Sequence, residues 1–205
     1  SCIISYQSAL QIAESYQLWD IALQALKHLR TAAAVRGDRT AVAKYERRMR
    51  HIQLCLHDEM EADSLVAQAQ LQTVAYTNHT SASTVELQRI ISRLKVLSRK
   101  KQSPYVITVL RYRVELWLAS LRVDAQTSLR LSRKANAFLD AHHHIDSIGY
   151  RAEFQGARMA ATVITGDVAE ATQIWNSMCP LLPAGGSGWN ALLRLYFLVC
   201  TAHCA

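Results

Sequence analysis

The stretch Thr40–Thr77 reads TAVAKYERRMRHIQLCLHDEMEADSLVAQAQLQTVAYT and contains neither glycine nor proline. The same holds for the whole interval between Asp38 and Ser103. Tight turns draw on Gly, Pro and Asn, so a strand-rich chain would have too few places to reverse here. Apolar residues instead recur at helical steps: Val42, Tyr45, Met49, Ile52 and Leu56, then Leu65, Ala69, Leu71 and Tyr76. A single helix of this length would extend about 57 Å at 1.5 Å per residue. The preferred reading is two helices with a break near His57–Asp58. Glu59, Glu61 and Asp63 would then form the acidic first turn of the second helix.

The flanking sequence follows the same period. Ile3, Tyr6, Leu10, Ala13 and Tyr16 fall on one helical face. Asp20 opens a helix carrying Ile21, Leu23, Ala25, Leu26, Leu29 and Ala33, which Arg36-Gly37-Asp38 ends. After a polar turn at Asn78–Ser81, Ser83-Thr84-Val85-Glu86 has capping-box spacing ahead of Leu87, Ile90, Ile91, Leu94 and Leu97. Ser103-Pro104 places a cap residue before a proline at the first helical position. The helix from Tyr105 to Leu121 is apolar around most of its circumference and calls for burial between neighbours. Asp124 starts another helix, through Leu129, Leu131, Ala135, Phe138 and Leu139, before a loop at His142–Ser147. Ile148–Ile164 is helical and stops at Gly166. Asp167-Val168-Ala169-Glu170 again has capping-box spacing, ahead of Ala171, Ile174, Trp175, Met178 and a stop at Pro180. Leu182–Ser187 reads as a linker and Trp189 to about His203 as the last helix. The expectation is an all-α fold of nine or ten helices in antiparallel hairpins.

Composition narrows the function classes. The chain has 205 residues, half of them apolar, with 7 Gly and 3 Pro, which is a globular composition with ample core for one domain. Five scattered cysteines (Cys2, Cys55, Cys179, Cys200 and Cys204) form no disulfide framework and read as reduced thiols of a cytoplasmic protein. No signal peptide is visible at Ser1, and the apolar run Leu192–Val199 is short and interrupted by Arg194, so no membrane span is expected. Nucleophile-elbow, zincin, Walker and Rossmann patterns are all missing, so neither intrinsic catalysis nor a cofactor is expected. His142-His143-His144 between Asp140 and Asp146 resembles a metal motif, but consecutive side chains diverge, and a solvated helix end is the better reading. Cys200, His203 and Cys204 share a helical face, yet a structural zinc site needs four ligands in its own spacing, so they read as core thiols. His51 and Cys55, one turn apart, read as packing or surface residues.

The net charge of +7 is unevenly spread. Residues 1–88 sum to −1 and residues 135–205 to −2, whereas residues 89–134 hold 12 basic and 2 acidic groups, a net of +10. Arg89, Arg93 and Lys100 recur at helical spacing there, and Arg130, Arg133 and Lys134 follow. Three readings compete: a solvated face, a surface for an acidic protein or peptide, and a phosphate-binding surface of a nucleic-acid-associated regulator. No helix-turn-helix, RNA-binding aromatic motif or basic arm accompanies the segment. Arg111 and Glu115 lie one turn apart and can pair.

Three places resemble the tetratricopeptide repeat family: Gly166-Asp167 with Ala171, Trp175 and Pro183; Tyr6 with Trp19, Ala22 and Leu26; and Tyr112, Leu116, Asp124 and Ala135, where Ser128 stands for the usual small Ala. Arg158 and Met159 depart from the family pattern, and the spacing is about 43 rather than 34 residues. The resemblance implies a right-handed α-solenoid of antiparallel hairpins spanning residues 1–205 as one domain, with a generic bundle as the alternative. It also implies a protein- or peptide-binding scaffold or sensor whose first helices line a groove. The matching positions are Gln7, Gln11 and Glu14, then Arg113 and Trp117, then Glu153. Arg113 beside Trp117 would clamp a carboxylate. The helix Trp189–His203 is apolar nearly all round, so a further repeat or a second copy is expected to cover it, and the chain is expected to be a fragment of a longer one.

Overall fold

Every regular element of the computed structural model, which describes residues 2–76, 82–143 and 148–178, is helical. Among these residues the helices are α1 (Cys2–Ser15), α2 (Trp19–Val35), α3 (Arg39–Tyr76), α4 (Ala82–Ser98), α5 (Tyr105–Leu121), α6 (Ala125–Ala141), α7 (Ile148–Ile164) and α8 (Val168–Met178). The turn at Asn78–Ser81, the linker, the helix Trp189–His203 and Cys179, Cys200 and Cys204 lie outside the described residues. Each helix packs on the next one in sequence; α3 also packs on α5, and α5 meets α7.

The break expected at His57–Asp58 does not occur: α3 is one helix of 38 residues. What changes there is the packing partner. Met49, Ile52 and Cys55 belong to a core shared with Leu10 and Ala13 of α1 and Trp19, Leu26 and Leu29 of α2. One to two turns later, Ala62, Val66 and Ala69 join a second core with Leu87, Ile90 and Leu94 of α4 and Ile107, Leu110 and Val114 of α5. With no glycine or proline to interrupt the backbone, the stripe simply rotates from one set of neighbours to the other. The acidic residues Glu59, Glu61 and Asp63 therefore stand in mid-helix, not in a first turn. In the same way α5 joins the second core to a third, in which Val109, Leu116 and Ala119 meet Leu131, Ala135 and Leu139 of α6 and Phe154 of α7. A last core binds Met159 of α7 to Ala171, Ile174 and Met178 of α8.

Four of the turns use one device. The residues Gln17, Gly37, Val123 and Gly166 have positive φ (54°, 73°, 53° and 84°). In each, two backbone bonds close the helix end, as in Leu18 N–H to Ala13 O with Gln17 N–H to Glu14 O, and Asp124 N–H to Ala119 O with Val123 N–H to Ser120 O. This is the Schellman arrangement, in which the left-handed residue is usually glycine. After three of these turns an aspartate caps the next helix: Asp38 accepts from Ala41 N–H, Asp124 from Thr127 N–H and Asp167 from Glu170 N–H, each at 2.9 Å.

Two expected caps differ. Pro104 is the residue before α5 rather than its first residue, and no side chain of its own caps that helix. The Tyr105 N–H is taken instead by Gln17 Oε1 at 2.8 Å, from the turn between α1 and α2. Glu170, expected to reach back to its own helix start, is held by arginines (below), and α4 begins at Ala82, one residue ahead of the expected cap Ser83.

The hairpins α5–α6 and α7–α8 share a constant offset of 43 residues, from Tyr105 to Ile148, from Leu121 to Ile164 and from Asp124 to Asp167. The fourth residue of the second helix is small and buried in three hairpins: Ala22, Ser128 and Ala171. A side chain no larger than serine at that position lets the paired helices approach.

Candidate partner-binding surfaces

Three of the residues singled out by sequence converge. Arg113 Nε lies 2.9 and 3.0 Å from the two carboxylate oxygens of Glu153, and its guanidinium carbon sits 4.8 Å from the Trp117 ring centroid. The Trp117 N–H donates to Glu153 Oε1 at 3.0 Å. Arg113 and Trp117, expected to hold a partner's carboxylate, instead hold the chain's own Glu153, delivered from α7. Tyr150, one turn before Glu153, packs against the same wall, and burial raises its hydroxyl pKa above the ordinary value while Arg113 acts in the opposite direction.

Gln7, Gln11 and Glu14 are brought to a different place. They line an open cavity of about 210 Å³ between α1 and α3, whose far wall is Lys44, Tyr45 and Arg48. Arg48 forms an ion pair with Glu14 across its mouth. Sequence placed Tyr45 in the apolar stripe and gave Lys44 and Arg48 no role, because their relation to α1 depends on how α3 lies against it. Thus α1 with α3, and α5 with α7, are each tied by an arginine–carboxylate pair between alternate helices.

The basic segment is not a single basic surface. Of its 12 lysines and arginines, seven meet carboxylates: Arg89 with Glu86, Arg93 with Glu61, Lys95 and Arg111 with Glu115, Lys100 with Asp58, Arg113 with Glu153 and Arg133 with Glu170. Most of these acids come from outside the segment. Lys100 donates to both oxygens of Asp58 at 2.6 and 2.8 Å, and the Asp58 carboxylate is nearly buried. Glu170 is bracketed by Arg158 and Arg133, which hold its carboxyl pKa below the usual value. Arg111 lies 4.0 Å from Glu115, the spacing expected from sequence, and also donates to Ser98 Oγ. Arg130 and Lys134 make no ion pair among the described residues.

Where α2 packs on α3, the structure brings Trp19 and Asp20 to Glu59, a grouping the sequence did not display, and sets Cys55 beside His51. Burial raises the Glu59 carboxyl to about 7, aided by Asp63 and Asp20, while the Trp19 N–H favours the charged form. That N–H is itself buried without a hydrogen bond of ordinary geometry. Cys55 is buried one turn from His51, with Sγ 3.7 Å from His51 Nε2. Burial, then Asp58 and Glu59, push its thiol up to about 11, so it is a poor nucleophile at neutral pH. His142, expected at a solvated helix end, is half-buried: its ring centroid is 4.2 Å from those of Tyr105 and Phe138. His144 and Asp146 lie outside the described residues, and Asp140 pairs with Arg151. Among the described residues no His, Cys, Asp or Glu group is arranged to hold a metal, and no helix is long and apolar enough to cross a membrane.

No family model, curated protein or solved structure matches the chain.

Proposed function

We propose that this chain is a protein- or peptide-binding helical-repeat module: a right-handed, tetratricopeptide-like solenoid occupying residues 1–205. It acts without cofactor or catalysis, as a scaffold or sensor in the cytoplasm. The observation that carries the reading is the pairing of alternate helices. The first helix α3 packs on α5 and α5 meets α7, while α1 faces α3 across a cavity walled by Gln7, Gln11, Lys44 and Tyr45 and bridged by the Glu14–Arg48 ion pair. Amides, a free ammonium and a phenol around a cleft of side-chain width supply the convergent polar groups that fix a peptide's register. The recurring turn, the buried small residue of the second helix and the 43-residue offset support a repeat. The extensive pairing of the basic segment is why a protein partner ranks ahead of nucleic acid.

The test selects peptides from a displayed random library against the whole chain and measures their affinity for wild type and for Lys44→Glu and Gln11→Lys. Both side chains are exposed and make no ion pair, so these changes leave the fold intact. Selected peptides should bind either variant about tenfold more weakly. Peptides that bind both variants as well as wild type would overturn the assignment of this cleft.

A further inference from the structure

On the opposite side of α5 from Arg113 and Trp117 lies a larger groove of about 550 Å³, walled by α4 and α6. Helical geometry sets Glu115, Leu118, Ala119 and Arg122 about half a turn away from Arg113 and Trp117. The volume falls within the range of about 300–1,000 Å³ typical of ligand clefts. Its floor is apolar, formed by Ile91, Leu118 and Leu131. Its rim carries Lys95, Arg122 and Arg130.

The charges on this rim are not equivalent. Lys95 is held 3.2 Å from Glu115. Arg122 and Arg130 are exposed and make no ion pair among the described residues. Their nearest acid of consequence is Asp124, which is already committed to capping α6 through the Thr127 N–H. Two guanidinium groups with forked donors are thus presented beside an apolar floor, a combination that suits separate carboxylates with apolar side chains between them. A nucleic-acid backbone fits less well. It is uniformly anionic along its length, and the groove sets the carboxylates of Glu115 and Asp124 against it.

The geometry points to this groove as a docking site for an acidic peptide segment of a partner protein, with carboxylates on Arg122 and Arg130 and apolar side chains on Ile91, Leu118 and Leu131. The proposal rests on the reading of the chain as a peptide-binding module, and it places a second binding face on the side away from the cleft between α1 and α3.

The probe is a fluorescein-labelled peptide of alternating Glu and Leu. Controls are the same peptide with Gln for Glu and a single-stranded DNA of similar length. Anisotropy is measured with wild type, Arg122→Gln/Arg130→Gln and Lys44→Glu, each checked by circular dichroism for unchanged helicity. The Glu/Leu peptide should bind wild type, lose at least about tenfold in affinity to the double variant, and be indifferent to Lys44→Glu. Equal binding of the Gln/Leu peptide, tighter binding of the DNA, or full affinity in the double variant would overturn the groove assignment. If library-selected peptides still depend on Lys44 while the Glu/Leu peptide does not bind, the groove falls and the module reading stands. If no peptide binds at either face, both fall.

Discussion

Replacing Val123 with glycine should stabilise this protein. Val123 sits in the left-handed region at φ 53°, in the turn between α5 and α6, and its side chain is 69% exposed. A left-handed backbone costs an L-residue about 1–2 kcal/mol, and a β-branched side chain belongs at the upper end. Glycine removes that strain but adds freedom to the unfolded chain, worth about 0.5–1 kcal/mol in the other direction. Little packing is lost, because the side chain faces solvent. The net expectation is a gain of about 1 kcal/mol, read as an upward shift in the urea midpoint at constant slope, with a rise in melting temperature of about 2–4 °C. The reciprocal substitutions calibrate it: a Cβ at Gly37 or Gly166 would meet nothing within 4 Å, so Gly37→Val and Gly166→Val should each cost about 1–2 kcal/mol from φ alone. Gln17→Gly relieves the same strain but uncaps Tyr105 N–H, so it should gain about 1 kcal/mol less than Val123→Gly. A neutral or destabilising Val123→Gly would refute the account of the turn.

Three further outcomes follow from the packing. Glu59 is favoured neutral in the folded chain, with a pKa raised from 4.5 to about 7, so its contribution is fully present below its unfolded pKa and lost as pH rises through 7. Wild type should therefore lose about 1–2 kcal/mol between pH 5 and pH 8, after allowance for solvent screening of a half-buried group, and Glu59→Gln should flatten that slope in denaturation series. A double-mutant cycle on Arg113→Ala and Glu153→Ala should show a coupling of about 1–2 kcal/mol, and additivity would remove the clamp as an energetic unit. His57→Pro, at an exposed position of α3, should cost about 3 kcal/mol or more, whereas a chain broken there would tolerate it.

Much of the secondary structure was legible because its signals are local. The bounds of α5 and α7 follow from breakers and apolar period, and Asp124 and Asp167 cap as their spacing implies, since a cap and its acceptor are three residues apart. The continuity of α3 was not legible. His57–Asp58 looks like an interruption in the apolar stripe, and only the handover from the core of α1 and α2 to that of α4 and α5 shows that the stripe turns and the backbone does not. The candidate site was legible in part: Arg113, Trp117 and Glu153 do meet, but a lone sequence reads an arginine beside a tryptophan as waiting for a carboxylate and has no means of seeing that Glu153 supplies one.

Charge shows the division most sharply. The sequence by itself determined an all-helical chain and a segment of +10 between two mildly acidic ends. The tertiary structure decided that about half of this excess is met by carboxylates from outside the segment. Arg93 reaches back 32 residues to Glu61 and Lys100 reaches back 42 to Asp58, while Arg113 and Arg133 reach ahead by 40 and 37 residues to Glu153 and Glu170. These separations are of the order of one helical hairpin. Helix formation is governed by contacts three and four residues apart, which a sequence displays directly. Pairing between stacked hairpins depends on which helix faces meet, and that is settled only when the apolar stripes have chosen their partners.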